Sequence, residues 1–334
     1  MKRTLLSVLC LGSLAASVLW ITYNDEYKIN YQLPKMKKQA VSPSKFCKGC
    51  MQFMKNTVQL YSQMWQQNEQ NNNEFRSLLH SQCNGFDKAI ITQANSPIGT
   101  HITKSHVVTE SFYGKIPSEH PFLNKTWDTC AVVGNGGILY DSYCGKKIDS
   151  ADFVIRCNLP PIGNAFEEHV GTKTSLVTSN PTIFLTLRNP DKLLQRVEPF
   201  GDSMILIPAF GYLSSLSFKT VRTLKELNNP SRPVYLNPQY MSSLAKFWRN
   251  RGVKASRLSS GLIMVSMALE VCKNVHVYGF WPLNVHPFGQ YYIPHHYYDN
   301  TLPKRFHKMP VEFDHLLHLH SQGVLRLHLG TCEK

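Results

Sequence analysis

The chain contains no Asp-x-Asp, no His-Glu-x-x-His and no Gly-x-Gly-x-x-Gly. Without the first it lacks the carboxylate pair with which many nucleotide-sugar enzymes hold Mn²⁺ or Mg²⁺. The missing second removes the helix-borne zinc site of metallopeptidases. The third is replaced by Gly134-Asn135-Gly136-Gly137, with no acid at the distance a dinucleotide fold requires. Acidic residues are scarce: 22 Asp and Glu face 36 Lys and Arg, a net charge of +14. Such a surface favours anionic partners, whether nucleic acid, acidic membrane or acidic substrate. No dense Lys/Arg run or nucleic-acid motif is present, so nucleic acid is set aside. Cys47-x-x-Cys50 has no second pair to complete a zinc site. Of the 14 histidines, His315, His318 and His320 crowd one stretch without a Cys or Asp set to close a tetrahedral shell. They read as a polar helix face, and no metal is expected. There is no internal repeat.

One long uncharged run stands out. Thr4 to Tyr23 follows Lys2 and Arg3, and its 20 residues can span a hydrocarbon core at about 1.5 Å each. The basic tip favours a cytosolic N-terminus and a type II anchor. A cleaved signal peptide is the rival, but Val18 to Ile21 extend the apolar run past the small residues Ala15-Ala16-Ser17. The organisation expected is a cytosolic tip (1–3), a membrane-spanning signal anchor (4–23), a stem with an amphipathic helix (24–80) and a luminal domain (81–334). Met51, Met54, Val58, Tyr61 and Trp65 recur at helical spacing, predicting a helix from Phe46 to about Glu69. Its stripe packs on the following domain or, in a second reading, on a second copy in a homodimer. Gln66 to Asn73 reads as a frayed helix end or loop. Either N-terminal reading places the domain in an oxidising compartment, where disulfides form among the nine cysteines, Cys47, Cys50 and Cys83 offering three for one bridge, and the Asn124-Lys125-Thr126 sequon is glycosylated.

Beyond Cys130, strand-like and helix-like runs alternate. Ala131–Val133, Phe153–Cys157, Met204–Pro208, Val234–Asn237 and Val275–Tyr278 read as strands. Helical patterns cover Ser217–Leu227, Met241–Arg251 and Gly261–Cys272, the last capped by Ser259. The fold class is α/β: a single Rossmann-like, mainly parallel sheet flanked by helices, as in a GT-A-like variant. The first strand breaks at glycines, which let a ligand approach the backbone. Asn135 and Asn158 stand at the ends of two strands, where open α/β sheets bind ligands. Two amides there suit a many-hydroxyl ligand such as a nucleotide sugar.

The stretch CAVVGNGGILYDSYCGKKIDSADFVIRCNLPP, Cys130 to Pro161, resembles the large motif of the animal sialyltransferases, glycosyltransferase family 29. Leu258-Ser259-Ser260-Gly261 through Cys272 to Tyr278-Gly279-Phe280-Trp281-Pro282 is similar to the small motif, His295-His296-Tyr297-Tyr298-Asp299 to the third, and His307 to Glu312 to the very small one. The four occur in the family's order. Cys144, Arg156-Cys157-Asn158 and Cys332 point to the α-2,8 branch. Gly136-Gly137 and the His-His-Tyr-Tyr-Asp-Asn string are most similar to its ganglioside and oligosialyl members.

The resemblance implies sialyl transfer from CMP-N-acetylneuraminic acid to the 8-hydroxyl of a terminal sialic acid. The acceptor is a ganglioside or a sialylated glycoprotein glycan. The transfer inverts the anomeric centre and needs no metal or other cofactor. It implies His307 as general base, supported by Glu312, since a neutral imidazole suits proton removal near working pH. It implies Asn135, Asn158, Ser259, Ser260, Gly261 and His296 as donor-binding, with Trp281 packing on the nucleoside and Tyr297 and Tyr298 adding hydroxyls or ring contacts. It pairs Cys130 with Cys272 and Cys144 with Cys332, and places the enzyme in the Golgi membrane as a single-pass type II protein; Cys157, in mid-strand, reads as a buried free thiol. The rivals are transfer to galactose or N-acetylgalactosamine, and a non-catalytic sialoglycan-binding protein of the same fold.

Overall fold

The computed structural model describes residues 49–332, apart from 124, 212 and 300–306. The expected anchor, residues 24–48 of the stem and Asn124 of the sequon lie outside the described residues. Among those described, no helix is long and apolar enough to cross a membrane.

Seven parallel strands form one sheet. They are β1 (Trp127–Val133), β2 (Phe153–Arg156), β3 (Leu176–Thr178), β4 (Met204–Ile207), β5 (Arg232–Tyr235), β6 (Cys272–Tyr278) and β7 (Arg326–His328). Their order is β5-β4-β3-β2-β1-β6-β7. All four residues of β2 and of β4 are buried. Successive side chains point to opposite faces, so unbroken burial means that both faces of the sheet are covered. The chain steps outward from β1 to β5, then returns to place β6 on the other side of β1. That reversal makes a topological switch point between β1 and β6, where a crevice opens beyond the strand ends.

The helices that matter for the site are α1 (Cys50–Tyr61), α2 (Glu69–Cys83), α3 (Pro190–Val197), α4 (Ser214–Glu226), α5 (Pro238–Asn250), α6 (Ser260–Val271) and α7 (Met309–Ser321). Helix α6 has ten consecutive buried residues, Leu262 to Val271. It is therefore buried all round, enclosed by sheet and other helices, with Ser266 and Glu270 its only polar members in that run. Ser259 caps it, its hydroxyl accepting from the Leu262 N–H at 3.0 Å.

Three expectations change. The helix predicted from Phe46 to Glu69 ends at Tyr61, and the Gln/Asn-rich stretch feeds a second helix, α2, capped by Asn68 at the Asn71 N–H (3.0 Å). Asparagine is a strong cap, so this polar run starts a helix rather than fraying one. Residue 80, taken as the end of the stem, falls inside α2. Met54 of α1 and Leu79 and Cys83 of α2 are buried in the main core, and Arg76 donates to the carbonyls of Leu269 (2.9 Å) and Cys272. The apolar stripe of α1 is thus used within the chain. Finally, β3 and β7 were not predicted. Each has three residues, too few to display a period.

Both implied disulfides are present, with Cα–Cα distances of 6.0 Å for Cys130–Cys272 and 4.9 Å for Cys144–Cys332. The first ties the start of β6 to β1; the second holds the C-terminal segment to the loop after β1, where the Cys332 N–H also donates to Ser142 O at 2.7 Å. Cys50 is disulfide-bonded, whereas Cys83 and Cys157 are free and buried. Burial pushes the Cys157 thiol up to about 12, which makes it inert rather than nucleophilic.

Candidate active site

The Asn135 amide leaves β1 and its Nδ2 donates to Cys157 O at 2.8 Å, so the ends of β1 and β2 are joined through a predicted site residue. Its Oδ1 is buried with no hydrogen-bond partner. A buried acceptor left bare is costly and is a natural place for a ligand hydroxyl or amine to donate. The Asn135 carbonyl accepts from the Tyr297 N–H at 2.9 Å, and Gly136 pairs with His296 in an isolated antiparallel bridge. The His-His-Tyr-Tyr string is thereby fixed along the glycine loop.

The glycines have a different use from the one expected. A Cβ on Gly137 would lie 2.0 Å from Pro294 O, and one on Gly136 would lie 2.6 Å from Gly279 O. Their bare faces meet protein backbone, not open ligand space. Gly261 likewise abuts the Phe280 ring, 2.5 Å from where a Cβ would stand.

Asn158 and Leu159 follow β2 in left-handed conformations, φ 64° and 44°. For residues other than glycine that geometry is unfavourable by about 1–2 kcal/mol each, and such strain persists where the surroundings over-determine it. Here the turn is held from several sides. The Leu159 N–H donates to Thr178 O at 3.0 Å, Arg196 of α3 donates to Leu159 O at 3.2 Å, and the Tyr297 hydroxyl donates to Pro161 O at 2.7 Å. Just before the turn, Arg156 is fully buried. It donates to Val170 O (2.8 Å), Lys173 O (2.9 Å) and Thr174 Oγ1 (3.0 Å), with Asp149 at 3.5 Å. Burial lowers the guanidinium to about 10.

Residues 257–260 join three predicted positions. Arg257 O lies 3.0 Å from His307 Nδ1, the Ser259 N–H donates to Glu312 Oε1 at 3.0 Å, and Ser260 Oγ donates to Asn158 Oδ1 at 3.4 Å. A carbonyl only accepts, so His307 Nδ1 carries the hydrogen. The neutral ring then has its lone pair on Nε2, the form a general base requires. Glu312, in the first turn of α7, is 3 % exposed; burial raises its carboxyl, opposed by its bonds from Ser259 and by His307 nearby. It anchors the amino end of α6, whose positive dipole end stands beside Asn158. His296 Nδ1 lies 3.0 Å from Asp299 Oδ1, and its ring stacks on Tyr298 at 5.2 Å. A carboxylate also only accepts, so His296 offers Nε2 outward. His295 is lowered by burial, then by His296, and its carbonyl accepts from the Gly137 N–H at 3.2 Å, a structural use.

Two predicted residues are placed in the packing instead. Trp281 is 5 % exposed, packs between Phe53 (6.1 Å) and Phe313 (5.2 Å), and donates its indole N–H to Val285 O at 2.7 Å. Its ring is core, not a stacking face for a nucleoside. Tyr297 is 1 % exposed, with its hydroxyl on Pro161 and its ring against Phe166, so it supports the site from behind. The polar face expected on the last helix is also divided: His315 packs on Trp248, His318 bonds Asp314 O at 2.8 Å, and His320 is buried against Tyr61. Among the described residues, no group of three His, Cys, Asp or Glu could hold a metal ion. Sequence reasoning missed Thr178 and Arg196, which touch the Asn158–Leu159 turn from elements far along the chain.

Fold and site together define an α/β enzyme of the glycosyl-transfer type, with amide, hydroxyl and imidazole groups gathered at a switch point. Residues 78–324 match the model of glycosyltransferase family 29 (sialyltransferase), and the chain belongs to that family. It is 41 % identical over 284 residues to mouse (Mus musculus) alpha-2,8-sialyltransferase 8F, covering 80 % of this chain and 71 % of that protein. Human (Homo sapiens) alpha-2,8-sialyltransferase 8E is 40 % identical over 282 residues, covering 80 % and 75 %. Among solved structures, a mammalian sialyltransferase in complex with Gal-beta-1-3GalNAc-ortho-nitrophenol aligns at 16 % identity with a TM-score of 0.45, covering 91 % of this chain and 97 % of that one.

Proposed function

We propose that this protein transfers sialic acid from CMP-N-acetylneuraminic acid to the 8-hydroxyl of a terminal sialic acid on a ganglioside or a sialylated glycoprotein glycan. The observation that carries the reading is the continuous hydrogen-bonded chain from His307 through residues 257–260 to Asn158, Cys157 and Asn135. It gathers residues from both sides of the switch point into one site. Displacement of CMP develops positive charge on the sugar and negative charge on the leaving phosphate. His307 Nε2 takes the acceptor hydroxyl proton as the oxygen attacks from the face opposite the phosphate, which inverts the anomeric centre. His296 in its imidazolium form, with Nδ1–H on Asp299 and Nε2–H toward the phosphate, answers the phosphate charge together with Asn158 and the amino end of α6. No step calls for a metal ion, and EDTA is expected to leave turnover unchanged.

Two relatives named alpha-2,8-sialyltransferase support the linkage. The basic composition suits an anionic donor and an anionic acceptor. Anchoring by residues 4–23 as a single-pass type II protein of the Golgi membrane, with a glycan on Asn124, belongs to the same reading. The test is an acceptor array with the full-length, detergent-solubilised protein, reading CMP release and product linkage. Transfer only to acceptors ending in sialic acid, through its 8-hydroxyl, is expected. Transfer to galactose or N-acetylgalactosamine would change the acceptor class, and no CMP release on any acceptor would leave a sialoglycan-binding protein.

A further inference from the structure

Thr178 is the last residue of β3, next to β2 in the sheet, and is 7 % exposed. It grips the Asn158–Leu159 turn three times. Its carbonyl accepts from the Leu159 N–H at 3.0 Å, its hydroxyl oxygen accepts from the Asn158 N–H at 2.9 Å, and its hydroxyl hydrogen goes to Asn158 Oδ1 at 3.3 Å. The Ser260 hydroxyl gives a second donor to the same oxygen at 3.4 Å. Two hydroxyls donate to one amide oxygen, so the carboxamide is held at that end by the protein. Oδ1 is turned to the protein, and Nδ2 is the end left for a ligand. Asn135 is held the other way round, with Nδ2 on Cys157 O and a bare, buried Oδ1. The crevice thus presents one amide donor and one amide acceptor.

We propose that Thr178 is a positioning residue for the nucleotide: it locks the Asn158 carboxamide so that its NH₂ faces an acceptor group on CMP. This rests on the reading of Asn158 as a donor-binding residue. An unlocked amide would present its oxygen to the anionic ligand as readily as its nitrogen. The strained turn that carries it would also lose a tether.

The test is calorimetric CMP binding to the full-length protein, with steady-state kinetics on CMP-sialic acid. Thr178→Val keeps the shape and removes the hydroxyl. CMP affinity should fall about tenfold, the scale of one lost hydrogen bond in a preorganised site, with KM raised more than kcat is lowered. Thr178→Ser should restore affinity to within about twofold. The decisive arm is the double variant: in an Asn158→Ala background, Thr178→Val should change CMP affinity by less than about twofold, because its effect passes through that side chain. Wild-type affinity in Thr178→Val, no rescue by serine, or an undiminished tenfold loss in the Asn158→Ala background would each overturn the proposal. If Asn158→Ala alone binds CMP normally, the donor-site reading falls and this one with it. Should the valine variant fold poorly, Thr178→Ala in both backgrounds gives the same comparison.

Discussion

At the scale of single residues, the site depends on which atom of each polar side chain is already taken. His307 has Nδ1 on a carbonyl, His296 has Nδ1 on a carboxylate, and each is left with Nε2. Only the first is placed by the very small motif at the head of α7, and it is the candidate base. Replacing His307 by alanine should lower kcat by about 10²–10⁴, the range of a lost general base, while the affinity for CMP-sialic acid stays within about twofold. Single-turnover kinetics and donor titration separate the two quantities. Near-normal turnover at saturating donor and acceptor would move the base assignment to His296.

At the scale of elements, the contact between the loop after β1 and the segment leading to the paired histidines sets the crevice. Gly137 is needed there because Pro294 O occupies the space a side chain would fill. A methyl group cannot fit without backbone displacement, so Gly137→Ala should destabilise by at least about 1–3 kcal/mol and weaken CMP binding as well. Urea denaturation and a CMP titration check the two effects. A stable variant with normal CMP affinity would mean that the loop moves freely, contrary to its hydrogen bonds at Gly136 and Gly137.

At the scale of the molecule, two long-range disulfides and several buried histidines make stability depend on redox state and pH. The disulfides join positions 142 and 188 residues apart. Loss of either by Cys→Ser replacement should cost about 2–5 kcal/mol, seen as a lower denaturation midpoint. Burial lowers His120, His276 and His320 to about 4, and holds His328 well below the ordinary histidine value. His276 and His328 face each other at 3.0 Å, with Tyr278 stacked on His328 at 4.2 Å and Arg326 and Lys147 also disfavouring charge on both. Between the ordinary histidine value near 6.5 and about 4, the unfolded chain binds protons that the folded chain refuses. Stability contributed by these groups is therefore present above that window and is lost as pH falls through it. The thermal midpoint should drop steadily from pH 7 to pH 4.5, and His276→Gln should flatten part of the slope. A flat profile in the native protein would contradict the buried, neutral state of these rings.

The amino-acid order by itself determined what local chemistry controls. Ser259 before an apolar run marks the cap of α6, and the alternation of apolar runs with helical patterns marks the parallel sheet. The ordered motifs mark the family and bring His307, Glu312, Asn135 and Asn158 into view. What it could not show depends on pairings between distant segments. Strands β3 and β7 are three residues long and exist because neighbours complete their hydrogen bonds. Thr178 has no local signal for its role, since its partner is 20 residues away in the turn after the adjacent strand. Trp281 looks like a ligand-stacking residue until Phe53 and Phe313, from two separate helices, close around it. The glycines look open until Gly279 and Pro294 fill the space they leave. Propensity and capping act within a few residues along the chain. Side-chain orientation in the crevice is set by contacts across the sheet, and only the tertiary structure decides those.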